Sequence, residues 1–351
     1  MKPKISLLFL LLFFACSVSS VFAGEHGHYT PAPLAVRDLV MPPKGVYFLN
    51  YNLYYKADTF KDASGVKITD FTASGTATRN ISLRGYSIPV TFTGTGTINL
   101  DFDIDVYAQT FGLAVVTDKK IFGADYGFLI LPSWGHARFD ATANATAAGT
   151  ISVGGVSKPI AANRTVKFED DTTGLADLLI QPLWFAWRDK HYDIGLSWGA
   201  YLPTGQYDKD DLANIGLGFF TSKLQPSFFY YPFESKATAF MFSPTWEWHS
   251  KKIDKDVQPG QNITIEYGLS QYLHERFEIG ISGFHQWQVT DDSGGAAVNK
   301  DTHDRISGVG AQATWWAIKD KCALVVKYVK EYDAVDRLEG ELIEFNMTLA
   351  F

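Results

Sequence analysis

Residues 98–108 read INLDFDIDVYA. Ile98, Leu100, Phe102, Ile104, Val106 and Ala108 are apolar, with Asn99, Asp101, Asp103, Asp105 and Tyr107 between them. A period of two over this length predicts a β-strand with one apolar and one polar face. The same alternation recurs from Gly45 onward and predicts about twelve strands, each near the length that crosses a bilayer at a tilt. They fall at 45–61, 98–116, 123–139, 175–188, 191–202, 214–231, 238–249, 261–272, 277–289, 306–317, 322–332 and 338–351. In 191–202, Tyr192, Ile194, Leu196, Trp198 and Ala200 alternate with Asp193, Gly195, Ser197 and Gly199.

The links between these stretches carry a second pattern. Short links (117–120, 188–191, 232–236, 273–276, 318–321) alternate with long ones (62–96, 140–173, 203–213, 251–260, 290–305), and the last long-side link, 333–340, is shorter. Short turns on one side and long loops on the other predict a closed antiparallel transmembrane β-barrel with periplasmic turns and long outer loops. Within hydrocarbon every backbone N–H and C=O needs a partner, and a sheet meets that demand only by closing. A soluble sandwich or soluble barrel is the rival, but it calls for strands nearer ~5–6 residues. Aromatic residues make up 15% of the chain, which suits strands and membrane interfaces. The Thr-, Gly- and Ser-rich links 62–96 and 140–173 read as hairpin extensions, either decoration or a cap with a part in gating.

The N-terminus adds a targeting signal. Lys2 and Lys4 precede an apolar run from Ile5 to Ala15 and small residues ending Val21-Phe22-Ala23, the layout of a secretory signal peptide over 1–23. Cys16 lacks a convincing lipobox around it. Cleavage after Ala23 leaves 328 residues with one cysteine, Cys322, and losing Lys2 and Lys4 takes the formal charge from −7 to −9. An acidic chain without a basic stripe argues against nucleic acid as a partner. Residues 24–44 show no pairing pattern and contain Pro31, Pro33, Pro42 and Pro43. They are predicted to form an N-terminal extension or partial plug, because LAVRDLVM is apolar enough to need cover. The barrel proper is assigned to 45–351.

Polar positions of the alternating strands should line the lumen: Asp101, Asp103, Asp105, Asp193, Glu247, Glu266, Glu278, Glu344, Lys56 and Lys327. In a water-filled lumen this acidic field favours cations or neutral solutes over anions. In a filled barrel the same carboxylates pair with Lys and Arg, loop residues such as Arg79 and Arg84 included, and hold the wall rigid. No cofactor is called for. His26, third in the processed chain, has the position for a terminal Cu(II) site, but exposed terminal histidines are ordinarily incidental and no metal is assigned. No G-x-S-x-G, H-E-x-x-H or Walker motif occurs. His249 with Glu247, or His285, would suit an outer-membrane hydrolase, yet alternating inward polar residues produce such neighbours by chance. N-x-[ST] triplets at Asn80, Asn144, Asn163, Asn262 and Asn346 carry no weight in a bacterial outer-membrane protein. Pro132, Pro182, Pro226 and Pro244 mark candidate weak points in the wall, since proline donates nothing to a ladder.

Several stretches together resemble the Phenol_MetA_deg family, proteins of the meta pathway of phenol degradation. They are IFGADYGF (121–128), GLADLLIQPLWFAW (174–187), GAYLPTGQYDKDDLANIGLGF (199–219), ITIEYGLSQYL (263–273) and WQVTDDSGG (287–295), with HYTPAP and VTDKKIFGADYG fitting the same pattern. The likeness runs from about residue 28 to 351. It implies an outer-membrane barrel of a Gram-negative bacterium that takes up small hydrophobic or aromatic compounds; the expected mechanism is passive diffusion, through the lumen or sideways into the lipid. No set of functional residues carries over. The long polar links 62–96 and 140–173 depart from better-known relatives. A non-transporting scaffold or surface-binding barrel is the second reading, and a hydrolase the third.

Overall fold

The computed structural model describes residues 26–83, 86–209, 211, 213–298 and 300–351; the expected signal peptide, 1–23, and Arg84 lie outside them, as does the side chain of Arg79. The described residues contain fifteen β-strands: β1 (Gly45–Lys61), β2 (Asp70–Leu83), β3 (Tyr86–Ile121), β4 (Ala124–Leu131), β5 (Ser133–Val153), β6 (Val156–Leu175), β7 (Leu178–Arg188), β8 (Tyr192–Leu202), β9 (Thr221–Tyr230), β10 (Thr238–His249), β11 (Asn262–His274), β12 (Phe277–Gln288), β13 (Arg305–Ile318), β14 (Cys322–Val335) and β15 (Arg337–Ala350). Pairing runs β1-β15-β14 and so on down to β7-β4-β3, and β1 also pairs with β3. That last ladder closes the sheet. The wall is a twelve-strand antiparallel barrel, with β4 continuing into β5, and β6 into β7, across short breaks.

Strand ends fall where the alternation ends. Gly45–Lys61 and Thr238–His249 are as expected. One turn moves: the link expected at 117–120 lies at Phe122-Gly123, both at positive φ (53° and 77°). Two such residues make a two-residue hairpin turn whose twist matches the flanking strands, so β3 runs on through Thr117–Lys120. The stretch 214–220, expected as strand, precedes β9 as loop, with Gly218 at φ 72°.

The outward face of the wall is apolar. Phe128, Leu196, Phe242, Ile279, Val326 and Phe345 are all more than a third exposed, and between them stand buried inward residues such as Ser197, Ser243, Glu278 and Glu344. A surface of this kind is stable only against lipid tails.

Two units emerge from the contacts, each described by itself. The barrel unit comprises Ala23–Val66, Ile104–Phe139 and Asp170–Phe351. The other holds Lys67–Asp103 and Asp140–Glu169, where the two long links form hairpins rather than loops. Threonines pair across β2 and β3 (Thr72–Thr97 3.0 Å, Thr76–Thr93 2.8 Å, Thr78–Thr91 2.9 Å between hydroxyls). On the other face Val90 and Phe92 pack with Ile151 and Ile160. A Cβ on Gly94 would stand 2.4 Å from the Ala148 carbonyl, and one on Gly149 2.3 Å from that of Thr93, so these glycines are what lets β3 and β5 meet.

Candidate functional site

The interior of the barrel is built around the chain that precedes β1. His26 Nδ1 lies 3.3 Å from Asp304 Oδ2. His28 stacks on Tyr201, with centroids 4.8 Å apart, and sets Nε2 2.8 Å from Asp177 Oδ2 and Nδ1 2.6 Å from Thr221 Oγ1. Tyr29 is buried; its N–H donates to Glu247 Oε1 (2.8 Å), its hydroxyl to Glu266, and its carbonyl accepts from Gln286 (2.9 Å). Further along, Ala32 N–H donates to Glu266 Oε1 (3.0 Å) and Val36 N–H to Gln312 Oε1 (2.9 Å). Lys327 Nζ donates to the carbonyls of Ala32 (2.6 Å) and Leu34 (2.7 Å).

Near the short-turn end Arg37 is the anchor. Its Nε donates to Glu278 (2.5 Å) and Ser270 (3.0 Å), and Nη2 to the Ala237 carbonyl (3.0 Å). The guanidinium lies 4.8 Å from the Tyr272 ring centroid and 5.8 Å from that of Tyr231. Arg188 then holds the Pro42 carbonyl (3.1 Å) and Tyr47 that of Pro43 (2.6 Å), where β1 begins.

The prolines of this segment now have a reason. A backbone donor inside a barrel needs a partner, and Pro31, Pro33, Pro42 and Pro43 have none to satisfy. Gly27 has another: a Cβ there would stand 2.5 Å from Glu247 Oε2.

Two carboxyls outside the spanning strands are held low. Burial works against the charge of Asp177, but hydrogen bonds from His28 and from the Leu217 and Gly205 amides outweigh it and keep its pKa below the ordinary value. Asp304 is likewise buried, and His26 and Arg337 keep it low. Asp38 goes the other way. Burial pushes it up to about 6 despite the hydrogen bond from Ala35 N–H.

Of the expected lumen residues, the structure gathers Asp193, Glu247, Glu266, Glu278, Glu344 and Lys327 in the interior, all buried. It does not gather the rest. Lys56 lies opposite Asp105 on the outward face, where Tyr54 donates to Asp105 (2.9 Å). Asp101 and Asp103 belong to the other unit, past the end of the β1–β3 ladder at Ile104, and Asp101 is exposed. On the part of the wall at Lys56 the apolar side turns inward, because Leu53 and Tyr55 of β1 pack on a core of Ala32, Phe284, Ile306, Val329, Ala334 and Leu342. A barrel whose middle is filled with protein accepts apolar residues on either side.

Sequence reasoning missed Tyr29, His28, Arg37, Lys223, Asp177 and Asp304. Lys223, alternating with Leu224, carried the same signal as the other inward residues; those of the segment carried none. His249 and His285, weighed as catalytic, are engaged otherwise. His249 bonds Thr221 (2.7 Å) and Asn262 (3.0 Å), and His285 faces outward to Ser307 (2.6 Å) and Tyr267 (3.2 Å).

The model of the Phenol_MetA_deg family, described as "Putative MetA-pathway of phenol degradation", matches residues 89–347. The chain belongs to this family. It also folds like an outer membrane channel of Pseudomonas putida F1, with a TM-score of 0.58 at 14% identity over 91% of this chain and 100% of that one. Looser likenesses join this family member to a FadL homologue of Pseudomonas aeruginosa (TM-score 0.35, 10% identity, 95% and 97% covered) and to the TodX monoaromatic hydrocarbon channel (0.37, 9%, 93% and 95%); at these scores they carry no argument. No curated protein matches. Fold, apolar belt and family agree on an outer-membrane barrel.

Proposed function

We propose that this barrel is a passive channel for small hydrophobic or aromatic solutes, and that residues 26–43 are its movable plug, freed for that role by removal of the signal at 1–23. The observation that carries the reading is how the segment is held. Among the described residues its backbone–backbone hydrogen bonds are its own (Asp38 N–H to Ala35, Val40 N–H to Arg37, both 3.0 Å). Every tie to the wall runs through a side chain. Such ties break one at a time, whereas a ladder breaks as a unit. The solute class rests on the family's link to phenol degradation.

Two exits suit such a solute. One is the lumen, after the segment shifts. The other is sideways through the wall at Pro226 and Pro244, where the β9–β10 ladder lapses. Catalysis has little support, since Glu247 and His249 are both engaged in the packing around the segment. The test is solute entry into liposomes carrying the purified protein. Entry of a monocyclic aromatic well above that of empty liposomes supports the channel; equal rates remove it. Occupation of the interior by the segment and buried charges favours a scaffold as the second reading, and equal rates would leave that one standing.

A further inference from the structure

Lys223 of β9 is the direct cross-strand neighbour of Glu247 on β10, and Lys327 of β14 that of Glu344 on β15. All four are buried, none more than 4% exposed. Cross-strand neighbours lie about 5 Å apart at Cβ, and buried opposite charges so placed ordinarily pair. Yet among the described residues neither lysine lies within 4.0 Å of a carboxylate oxygen. Lys223 Nζ donates to Gln225 Oε1 (3.0 Å) and lies 5.1 Å from the Tyr29 ring centroid. Lys327 Nζ donates to the carbonyls of Ala32 and Leu34. Glu247 spends Oε1 on the Tyr29 amide. What is left over is one buried oxygen on each glutamate without a hydrogen-bond partner, Glu247 Oε2 and Glu344 Oε1.

An unpaired buried carboxylate oxygen is costly, and here it recurs at two places in the same relation to a lysine turned toward the segment. We propose that Lys223–Glu247 and Lys327–Glu344 are replacement ion pairs, broken while the segment is seated and formed when it withdraws. The inference rests on residues 26–43 being a movable plug, and gives that motion a second stable end. With the segment gone, each lysine loses its partner on it and swings one strand sideways to the waiting oxygen. The emptied wall is then neutral at both rows, so withdrawal does not strand four buried charges. The wall is a two-state element that the segment biases.

The Lys327 pair is the one to test, because Glu344 has no direct hydrogen bond to the segment; its Oε2 accepts from Asn346 (3.4 Å), which also donates to the Pro33 carbonyl (3.2 Å). Open-channel fraction is read in planar bilayers, on full-length protein whose closure is checked by heat-modifiable gel mobility. Lys327→Met removes two bonds to the segment and the open-state pair together, and supplies the background in which that pair is absent. Glu344→Gln removes the open-state partner and lowers the open fraction. In the Lys327→Met background, Glu344→Gln has no further effect, and this charge-free pair gives the answer even if Glu344→Gln alone fails to fold. An open fraction that Glu344→Gln leaves unchanged or raises, or equal effects of Glu344→Gln in both backgrounds, overturns the proposal. Gly27→Val, which drives a side chain into Glu247, tests the plug separately. If it leaves the open fraction unchanged, the plug fails and the proposal with it; if it raises the fraction while Glu344→Gln does not lower it, the proposal alone fails.

Discussion

Pro244 of β10 stands opposite Pro226 of β9, and the ladder between these strands lapses from Ser243 to Thr245 before resuming in register at Trp246–Leu224. Neither residue has an N–H to give. The orphaned Pro226 carbonyl accepts instead from the inward hydroxyl of Ser243 (2.9 Å). Outside, the gap is flanked by the exposed rings of Phe228, Phe242 and Trp246. Pro226→Val with Pro244→Val restores two donors, each bond worth about 0.5–1.5 kcal/mol. If solutes leave sideways here, aromatic entry into liposomes falls severalfold while ion conductance holds. Unchanged entry assigns the route to the lumen.

Arg37 joins the segment to β11, β12 and the Ala237 carbonyl at once. Arg37→Ala leaves Glu278, 2% exposed, without its ion partner, a loss of about 3–5 kcal/mol for a buried pair. Because the segment yields more easily than the wall, the expected result is higher conductance with closure retained. Arg37→Lys should recover only part of the effect, since an ammonium lacks the planar fork and stacks less well between Tyr231 and Tyr272.

Seating is expected to depend on pH through Asp38. Its carboxyl titrates at about 6 in the seated segment and near the ordinary value, about 3.9, once withdrawn into water. The seated form therefore binds the proton more tightly. Its contribution to seating is complete below pH 4 and is lost as pH rises through 6. Conductance should climb between pH 4 and 6.5, and Asp38→Asn should flatten the climb. Asp177 and Asp304 have the opposite sign. Their lowered pKa values stabilise the seated form above pH 4, and that support disappears only as pH falls further. A conductance minimum near pH 4 follows, and a profile rising steadily from pH 3 would count against it.

Gly94→Val sets a side chain against the Ala148 carbonyl and the Gly149 Cα, 2.4 and 2.7 Å from the added Cβ. The strands must part there, which exposes Phe92. Faster protease cleavage within 67–103 or 140–169 is expected, with the heat-modifiable mobility of the barrel unchanged. Unchanged cleavage would count against the role given to Gly94.

The wall was legible because its alternation is enforced by lipid on one side. Where only lipid and polar groups compete, as along 191–202 or 238–249, faces and ends follow from the residues alone. Lys56 and Asp105 escaped because β1 and β3 carry apolar residues whose burial is provided by the interior. With Ala32, Phe284 and Leu342 waiting inside, Leu53 and Tyr55 gain as much by facing in as by facing lipid. The inward acids were visible as a set, but their partners were not. Tyr29 and Arg37 sit in a stretch without periodicity, and nothing local tells which carboxylate, more than two hundred residues away, each will meet.

β1 has two duties. It is the strand whose pairing with both β3 and β15 seals the cylinder, and it is the covalent root of the chain that fills it. The strand that seals the wall and the segment held inside it are therefore one continuous stretch of chain. A lesion at that seam, such as a proline at Asn52, would be felt twice, as a leaking wall and as a lumen that never fills.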